Sequence, residues 1–494
     1  MVIAVFLVSG LLALPTAHAF SNGQDAAIVL GQTSLTSSTS GTTQSTLSDP
    51  QGMAFDSSGN LWISDAGNNR VLEFKAPLST GESASVVLGE ANFTESSIDC
   101  SYSSTINPSC LSTPEGLAFD SSGNLWVADS ASNRIVEFTP PFTSGEGASL
   151  VLGQPNLTTG SNSGATPTAS DLNLPEGIGF DGSGNLWVAD SLYNRVLEFK
   201  APFSDGQAAS VVLGQLNFTS GVNANYASGC ASGQECPTAS SLTAPDGVKF
   251  DSSGNLWTAE RGTGRILEFK GPFTNGESAS LVLGQQGFTT FGDAGGFYCS
   301  AVTPAQYCVS PDSLTFDKSG NMWVADTDNW RVVSFDQPFA SYENESAVLG
   351  QPDFATAPPD TGRQNATASN MAIPETVAID SAGNVWVSDS GQNRVLEFLA
   401  SATASSTSQS TSVGSTTSSS QQTTTQSLGS SSSTTGPSTT TTTTTSTGGG
   451  GGVPEFPYQL GIAAVFTVLL AASYLLVRHR SLPGGASQEG RTGT

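Results

Sequence analysis

Histidine is nearly missing. Two occur in 494 residues, His18 and His479, and both fall in terminal segments outside the part that reads as folded. That removes His-ligated zinc sites, Ser-His-Asp triads and Cys-His dyads. Bases are scarce too: 16 Lys and Arg stand against 42 Asp and Glu, for a net charge of −26, and charged residues are only 12% of the chain. So acidic a surface repels a phosphate backbone, which excludes nucleic acid as a partner. There are six cysteines but no Cys-x-x-Cys, so neither a zinc knuckle nor a redox dithiol is indicated. No Asp-x-Asp-x-Asp run marks a calcium loop.

Long apolar runs occur only near the ends. Residues 2–14 read VIAVFLVSGLLAL and lead to Ala17-His18-Ala19. This small-x-small pattern suits a signal peptide, residues 1–19, cut after Ala19. No Lys or Arg precedes the run, so a buried N-terminal element is the other reading. Residues 460–477 form a second run, 18 apolar or small residues without charge, followed by Arg478-His479-Arg480. That is near the minimum for a membrane-spanning helix. The positive-inside bias puts the tail, 481–494, in the cytoplasm and everything before the helix outside. Between folded part and helix, residues 399–452 are nearly all Ser, Thr and Gly. Such a stretch buries too little to offset its ordering entropy and reads as a disordered, O-glycosylated stalk. Residues 453–457, Val-Pro-Glu-Phe-Pro, open the last segment, 453–480. A PEF motif, an apolar helix and a basic end resemble the archaeal PEF-type C-terminal sorting signal read by archaeosortase-like transpeptidases. The resemblance implies a retained helix or its exchange for a lipid anchor at the cell surface.

The middle of the chain repeats itself. Residues 114–138 read PEGLAFDSSGNLWVADSASNRIVEF and residues 175–199 read PEGIGFDGSGNLWVADSLYNRVLEF. The pattern restarts at Pro50, Pro114, Pro175, Pro245, Pro311 and Pro374, at intervals of 64, 61, 70, 66 and 63 residues. Each unit predicts a strand ending in Phe-Asp, a Gly-Asn turn, a strand through Leu-Trp, a short connection and a third strand. A fourth strand follows a Pro/Gly turn, as at residues 148–153. Six such units predict an all-β, six-bladed β-propeller over residues 25–398. After the sixth repeat the fourth strand is missing, but a copy, AAIVLG, stands at residues 26–31. It is expected to pair with the last third strand and close the ring.

The units resemble NHL repeats in Pro-x-Gly, in Gly-Asn-Leu-Trp-Val-Ala-Asp, and in the Asn-Arg before the third strand. The resemblance implies a propeller with a central channel. It implies no single function, since related propellers include RNA binders, lyases, lactonases, receptor ectodomains and adhesion modules.

Residues shared by every repeat are expected to be scaffold. The tryptophans Trp62, Trp126, Trp187, Trp257, Trp323 and Trp386 would pack between blades rather than form a sugar-binding ring. An acid and an Arg five residues apart, as in Asp129 and Arg134, would tie the second connection with a charge-assisted bond. Cysteines fall in local pairs inside insertions: Cys100 with Cys110, Cys230 with Cys236, and Cys299 with Cys308. Disulfides there would stiffen loops and agree with export. Sequons at Asn92, Asn156, Asn217, Asn344 and Asn365 are candidate glycosylation sites.

Candidate ligand contacts come from the residue after each repeat's proline: Gln51, Glu115, Glu176, Asp246, Asp312 and Glu375. If they converge on the channel mouth, their repulsion must be relieved by raised pKa values, water or a bound cation such as Ca²⁺; otherwise they are separate solvated side chains. Two departures from the repeat join them: Trp330 in place of the Asn before Arg331, and Arg261 in the fourth repeat. Two functions remain. One is a cell-surface binding or adhesion module for a protein or glycan, using its loop face. The other is an extracellular calcium-dependent lyase or lactonase working through the mouth carboxylates.

Overall fold

Turn chemistry fixes the first hairpin of every blade. Asp56 Oδ1 accepts the backbone N–H groups of Ser58 (2.8 Å) and Asn60 (3.0 Å), and its Oδ2 accepts from Asn60 Nδ2 at 2.8 Å. Gly59 supplies the left-handed angle, φ +82°. The same network recurs around Asp120, Asp181, Asp251, Asp317 and Asp380. The acid of this turn is therefore scaffold.

The computed structural model describes residues 20–96, 106–159, 166–220, 237–290, 309–341, 343–356 and 365–401. They lie in the first of two units, Met1–Thr407; the second is Ser408–Thr494. The expected signal peptide, the PEF motif, the membrane helix, the cytoplasmic tail and all but the first residues of the stalk lie outside the described residues. The described chain forms six four-stranded antiparallel sheets. Blade one has an inner strand Pro50–Phe55, then Leu61–Asp65, Arg70–Phe74 and an outer strand Val86–Leu88. The other inner strands are Pro114–Phe119, Pro175–Phe180, Pro245–Phe250, Pro311–Phe316 and Pro374–Ile379. Each packs against the inner strands of both flanking blades, the sixth against the first, so the sheets form a closed ring.

The second hairpin is held by a buried ion pair. Asp65 Oδ2 lies 2.7 Å from Arg70 Nε, and both side chains are fully buried. Asp65 Oδ1 also accepts the Ser48 N–H at 2.6 Å. Arg70 Nη1 donates to the Phe93 carbonyl at 2.5 Å and Nη2 to the Thr46 carbonyl at 3.2 Å. One pair thus clamps the hairpin, the loop leading into the blade and the loop leading out. The other five pairs span 2.5–2.9 Å. Desolvation makes such a pair costly, and the surrounding carbonyls and amides offset that cost by hydrogen-bonding both members.

Between blades the tryptophans do the packing. Trp62 meets Phe119 and Phe142 of the next blade edge-on, with centroids 6.0 and 4.7 Å away. Trp126, Trp187 and Trp257 repeat this with Phe203, Phe273 and Phe339. All six ring tryptophans are at most 3% exposed, so they cannot bind sugars. A polar seam runs alongside. Asn69, Asn133, Asn194 and Asn393 sit in the left-handed region, and their Oδ1 atoms accept the N–H groups of Thr113, Leu174, Ala244 and Asp49 in the following blade, at 2.7–3.0 Å.

The ring closes as expected, with Ile28, Val29 and Leu30 opposite Glu397, Leu396 and Val395. The closing segment also reaches back further than residue 25. Phe20 stacks edge-on against Trp323 at 4.8 Å, where other blades use the Phe of the next repeat's Pro-Phe turn. Asn22 Oδ1 accepts the Val348 N–H at 3.2 Å and Gly23 N–H donates to the Val348 carbonyl at 3.3 Å. Gly145 and Gly276 make the corresponding bond to Val87 and Val212. Arg394 then clamps the Leu35 carbonyl at 2.6 Å. Residues 20–35 are the missing end of the sixth repeat.

Truncating Phe20 to Ala is therefore expected to destabilise the propeller by about 2 kcal/mol, below the range for fully buried Phe because the ring is half-buried. Denaturant melts of wild type and Phe20→Ala measure this, and equal midpoints would show that closure starts later.

Candidate functional site

Each inner strand begins at the face that also carries the second hairpin, because Pro50 pairs with Asp65 and Pro175 with Asp190. Glycine lets the strand starts crowd together. A Cβ at Gly116 would collide with the Glu176 carbonyl oxygen, and one at Gly177 with that of Asp246. The residue after each proline is thereby carried toward the axis. All six expected residues, Gln51, Glu115, Glu176, Asp246, Asp312 and Glu375, line one cavity of about 240 Å³ at the mouth of the channel. Arg261 and Lys249 line it too.

Besides Arg261, serines donate to the carboxyls, Ser130 to Glu115 among them. Ser390 Oγ donates to Glu375 Oε1 at 2.9 Å, and Ser191 Oγ reaches Asp246 Oδ1 only at 3.4 Å. Arg261 is the cation of the mouth. Its Nη1 lies 3.1 Å from Asp312 Oδ2 and its Nη2 3.2 Å from Asp328 Oδ1. Asp328 is fixed in turn by Ser310 Oγ at 2.6 Å. Asp312, chiefly, pushes the Arg261 pKa up.

Crowding in a desolvated mouth keeps protons on the acids. Burial, then the Glu115 charge, pushes Glu176 up to about 8. Burial pushes Asp312 up to about 7 although Arg261 opposes it. Glu115, Asp246 and Glu375 are held well above the usual carboxylate range, by burial first and then by a neighbouring charge: Asp246 acts on Glu115, Glu176 on Asp246, and Asp312 on Glu375. Glu176 and Asp246 hydrogen-bond through their carboxyls, as do Asp312 and Glu375. Each pair can do so only by sharing a proton. Lys249 is lowered by burial alone, with no carboxylate acting on it.

The other expected site residues lie elsewhere. Trp330 ends the second connection of blade five at φ +57°, half-buried and outside the cavity. The five sequon asparagines are exposed. In three of them the recurrence has a local cause: Asn92, Asn156 and Asn217 each accept the N–H of the Thr two residues on, at 3.0 Å. Asp353 closes the matching turn of the fifth repeat. The middle residues, Phe93, Leu157 and Phe218, present their carbonyls to the clamp arginines. Cys110 is disulfide-bonded; Cys100, Cys230, Cys236, Cys299 and Cys308 lie outside the described residues.

Sequence reasoning missed Lys249 and Asp328. Lys249 was detectable, because the other repeats have Ala54, Ala118, Gly179, Thr315 and Ala378 at its place. Asp328 sits in a variable connection and gave no signal. Calcium finds a poor fit. Among the described residues no group of three His, Cys, Asp or Glu side chains is arranged to hold a metal ion, and a guanidinium already stands among the mouth carboxyls.

The NHL repeat family matches residues 47–74 and 111–138, within the first two repeats. No curated protein matches the sequence. Among solved structures, the chain is similar to a streptogramin B lyase at 12% identity and TM-score 0.40, covering 71% of this chain and 93% of that one. A virginiamycin B lyase from Staphylococcus aureus aligns at 11% identity and TM-score 0.38, over 71% of this chain and 94% of that one. A gluconolactonase from Xanthomonas campestris aligns at 12% identity and TM-score 0.40, over 78% and 99%. Likeness at this level carries no argument about ligand or chemistry.

The mouth makes stability depend on pH. An acid whose folded pKa is raised stabilises the fold fully below its unfolded value, and that contribution is lost as pH rises through the folded value. With Glu176 at about 8 and Asp312 at about 7, Tm is expected to fall from pH 5 to pH 8. Glu176→Gln with Asp312→Asn should flatten the fall in calorimetric scans. A Tm in the wild type that climbs over this interval would contradict the crowding.

Proposed function

We propose that this NHL-repeat six-bladed propeller is a binding module. In this reading it works outside the cell, held at the surface by its C-terminal segment, and engages a protein or glycan through the face on which the channel opens. The observation that carries the reading is the convergence of Gln51, five carboxyls and Arg261 on one cavity of about 240 Å³. That is just below the usual size of a small-molecule pocket, so it suits one side chain or one sugar unit of a larger partner. Ionised carboxylates accept, protonated ones donate, and Arg261 donates. The mouth therefore offers both kinds of hydrogen bond to a polar ligand.

A second reading, an extracellular lyase or lactonase, draws on one specific observation. Glu176 at about 8 and Asp312 at about 7 lie where a carboxyl serves as general acid or base at neutral pH. The calcium-dependent form of that reading has no set of three ligands among the described residues to rest on.

The test pairs glycan and surface-protein arrays with a lactone and ester turnover screen, all on the purified full chain. The expected outcome is a saturable partner whose affinity drops at least tenfold in Arg261→Ser, with no turnover. Turnover abolished by Glu176→Gln would establish the enzyme instead. A partner bound equally well by wild type and Arg261→Ser would remove the mouth from the binding surface.

A further inference from the structure

The mouth is neutralised unevenly. Arg261 projects from blade four and bridges Asp312 and Asp328 of blade five. Its charge also acts on Glu176, Asp246 and Glu375, and Glu115 is the one mouth carboxyl, among the described residues, on which no cation acts. Glu115 feels Asp246, Glu375 and Asp49, all of its own sign. The other base lining the cavity, Lys249, lies on the inner strand of blade four and exerts no pull on these carboxyls.

A second observation points to something that should fill the space. Asp312 is about nine-tenths buried and lines the cavity, yet its Oδ1 accepts no hydrogen bond. Only a proton shared with Glu375 could serve it from within the protein. A buried carboxylate oxygen left in this state is costly, and a donor entering the cavity would relieve it.

We propose that the channel mouth binds a primary ammonium group on an unbranched aliphatic stem, either the lysine side chain of a partner protein or a free diamine. The proposal rests on the binding-module reading and names the chemistry of its ligand. The ammonium sits in the cavity beside Glu115 and donates to carboxylates as the Arg261 guanidinium already does to Asp312 and Asp328. It is an organic cation rather than a metal because no trio of carboxylates among the described residues is arranged at metal-ligand geometry. Hydrogen-bonded cations tolerate a wider spread of acceptors, with N–H···O contacts of about 2.7–2.9 Å from several directions. The ligand enters by displacing protons. The shared protons of the Glu176–Asp246 and Asp312–Glu375 pairs, and the one on Glu115, leave as the ammonium binds. Binding is therefore strong above neutral pH and weak in acid.

Calorimetric titration of the full chain tests this with putrescine, N-acetyl-lysine methylamide, methyl glucoside and calcium chloride at pH 8 and pH 5. The expected result is saturable binding of both ammonium probes at pH 8. It should be at least tenfold weaker at pH 5, with heats that change with the buffer's ionisation enthalpy because protons are released. Tighter binding of the lysine amide points to a protein partner, and tighter binding of putrescine to a free diamine. Glu115→Gln should weaken both by at least tenfold while Tm at pH 5 stays within a few degrees of wild type. Glu176→Gln serves as the second variant if Glu115→Gln does not fold. No ammonium binding at pH 8, or binding untouched in both variants, overturns the proposal. If methyl glucoside binds in an Arg261-dependent way and the amines do not, the binding module stands and its ligand chemistry is a glycan's. Calcium bound in preference to either amine also overturns it.

Discussion

A buried acid–arginine pair at the end of each second hairpin is the interaction on which the propeller depends. The pair does more than close a connection of a few residues. Its spare donors and acceptors tie down the loop arriving from the previous blade and the loop departing to the next, as Arg134 does with the carbonyls of Cys110 and Leu157. Removing one member of a buried pair leaves an uncompensated charge and costs about 3–5 kcal/mol. Six such clamps sit on one face of the ring. The other face carries the Asp56-type turns and a third connection of constant length, as at residues 75–85, 139–149 and 200–210. The difference determines where function can be placed: loops on the clamped face can lengthen and vary because their ends are anchored.

The same clamps set the height at which the inner strands begin, and so the crowding at the mouth. Pro50, Pro114 and Pro175 lie opposite the clamp acids Asp65, Asp129 and Asp190. Each following side chain is thus delivered to the axis at the same level. Two seams differ. Gly264 and Trp330 replace the asparagine that elsewhere bonds to the next blade. There the N–H groups of Ser310 and Ile373 turn instead to their own clamp acids, Asp326 at 2.7 Å and Asp389 at 3.2 Å. Ser313 and Thr376 also replace the glycine of Pro-x-Gly in these two blades. The sector holding Asp312 and Glu375 is consequently built differently from the rest, and Arg261 and Asp328 occupy it.

Much of this was legible in the sequence because a repeat reports its scaffold six times over. Blade number, the strand that closes the ring and the residues of the mouth follow from aligning the units. The aromatic that starts the closure was not legible. Phe20 follows directly on the expected signal peptide, and its kinship to Phe142 or Phe273 shows only once it is seen stacked edge-on against Trp323. Recurrence does not separate a chemical motif from a structural one where the two coincide. Asn-x-Thr reads as a glycosylation signal, and Asn92, Asn156 and Asn217 also close the turns that offer carbonyls to the clamps. Residues used once, such as Lys249 and Asp328, leave no periodic trace, and only their position around the cavity gives them meaning. Trp330 was the opposite case, an evident departure that lies away from the cavity.

The central claim is that carboxyls from neighbouring blades are forced together at the channel mouth and keep protons that free acids would lose. Carbon-13 detection of Asp and Glu side-chain carboxyls across a pH titration measures this directly. The account predicts that at least two carboxyls lose their protons above pH 6.5, and that these resonances vanish in Glu176→Gln and Asp312→Asn. Every carboxyl titrating below pH 5 would contradict it.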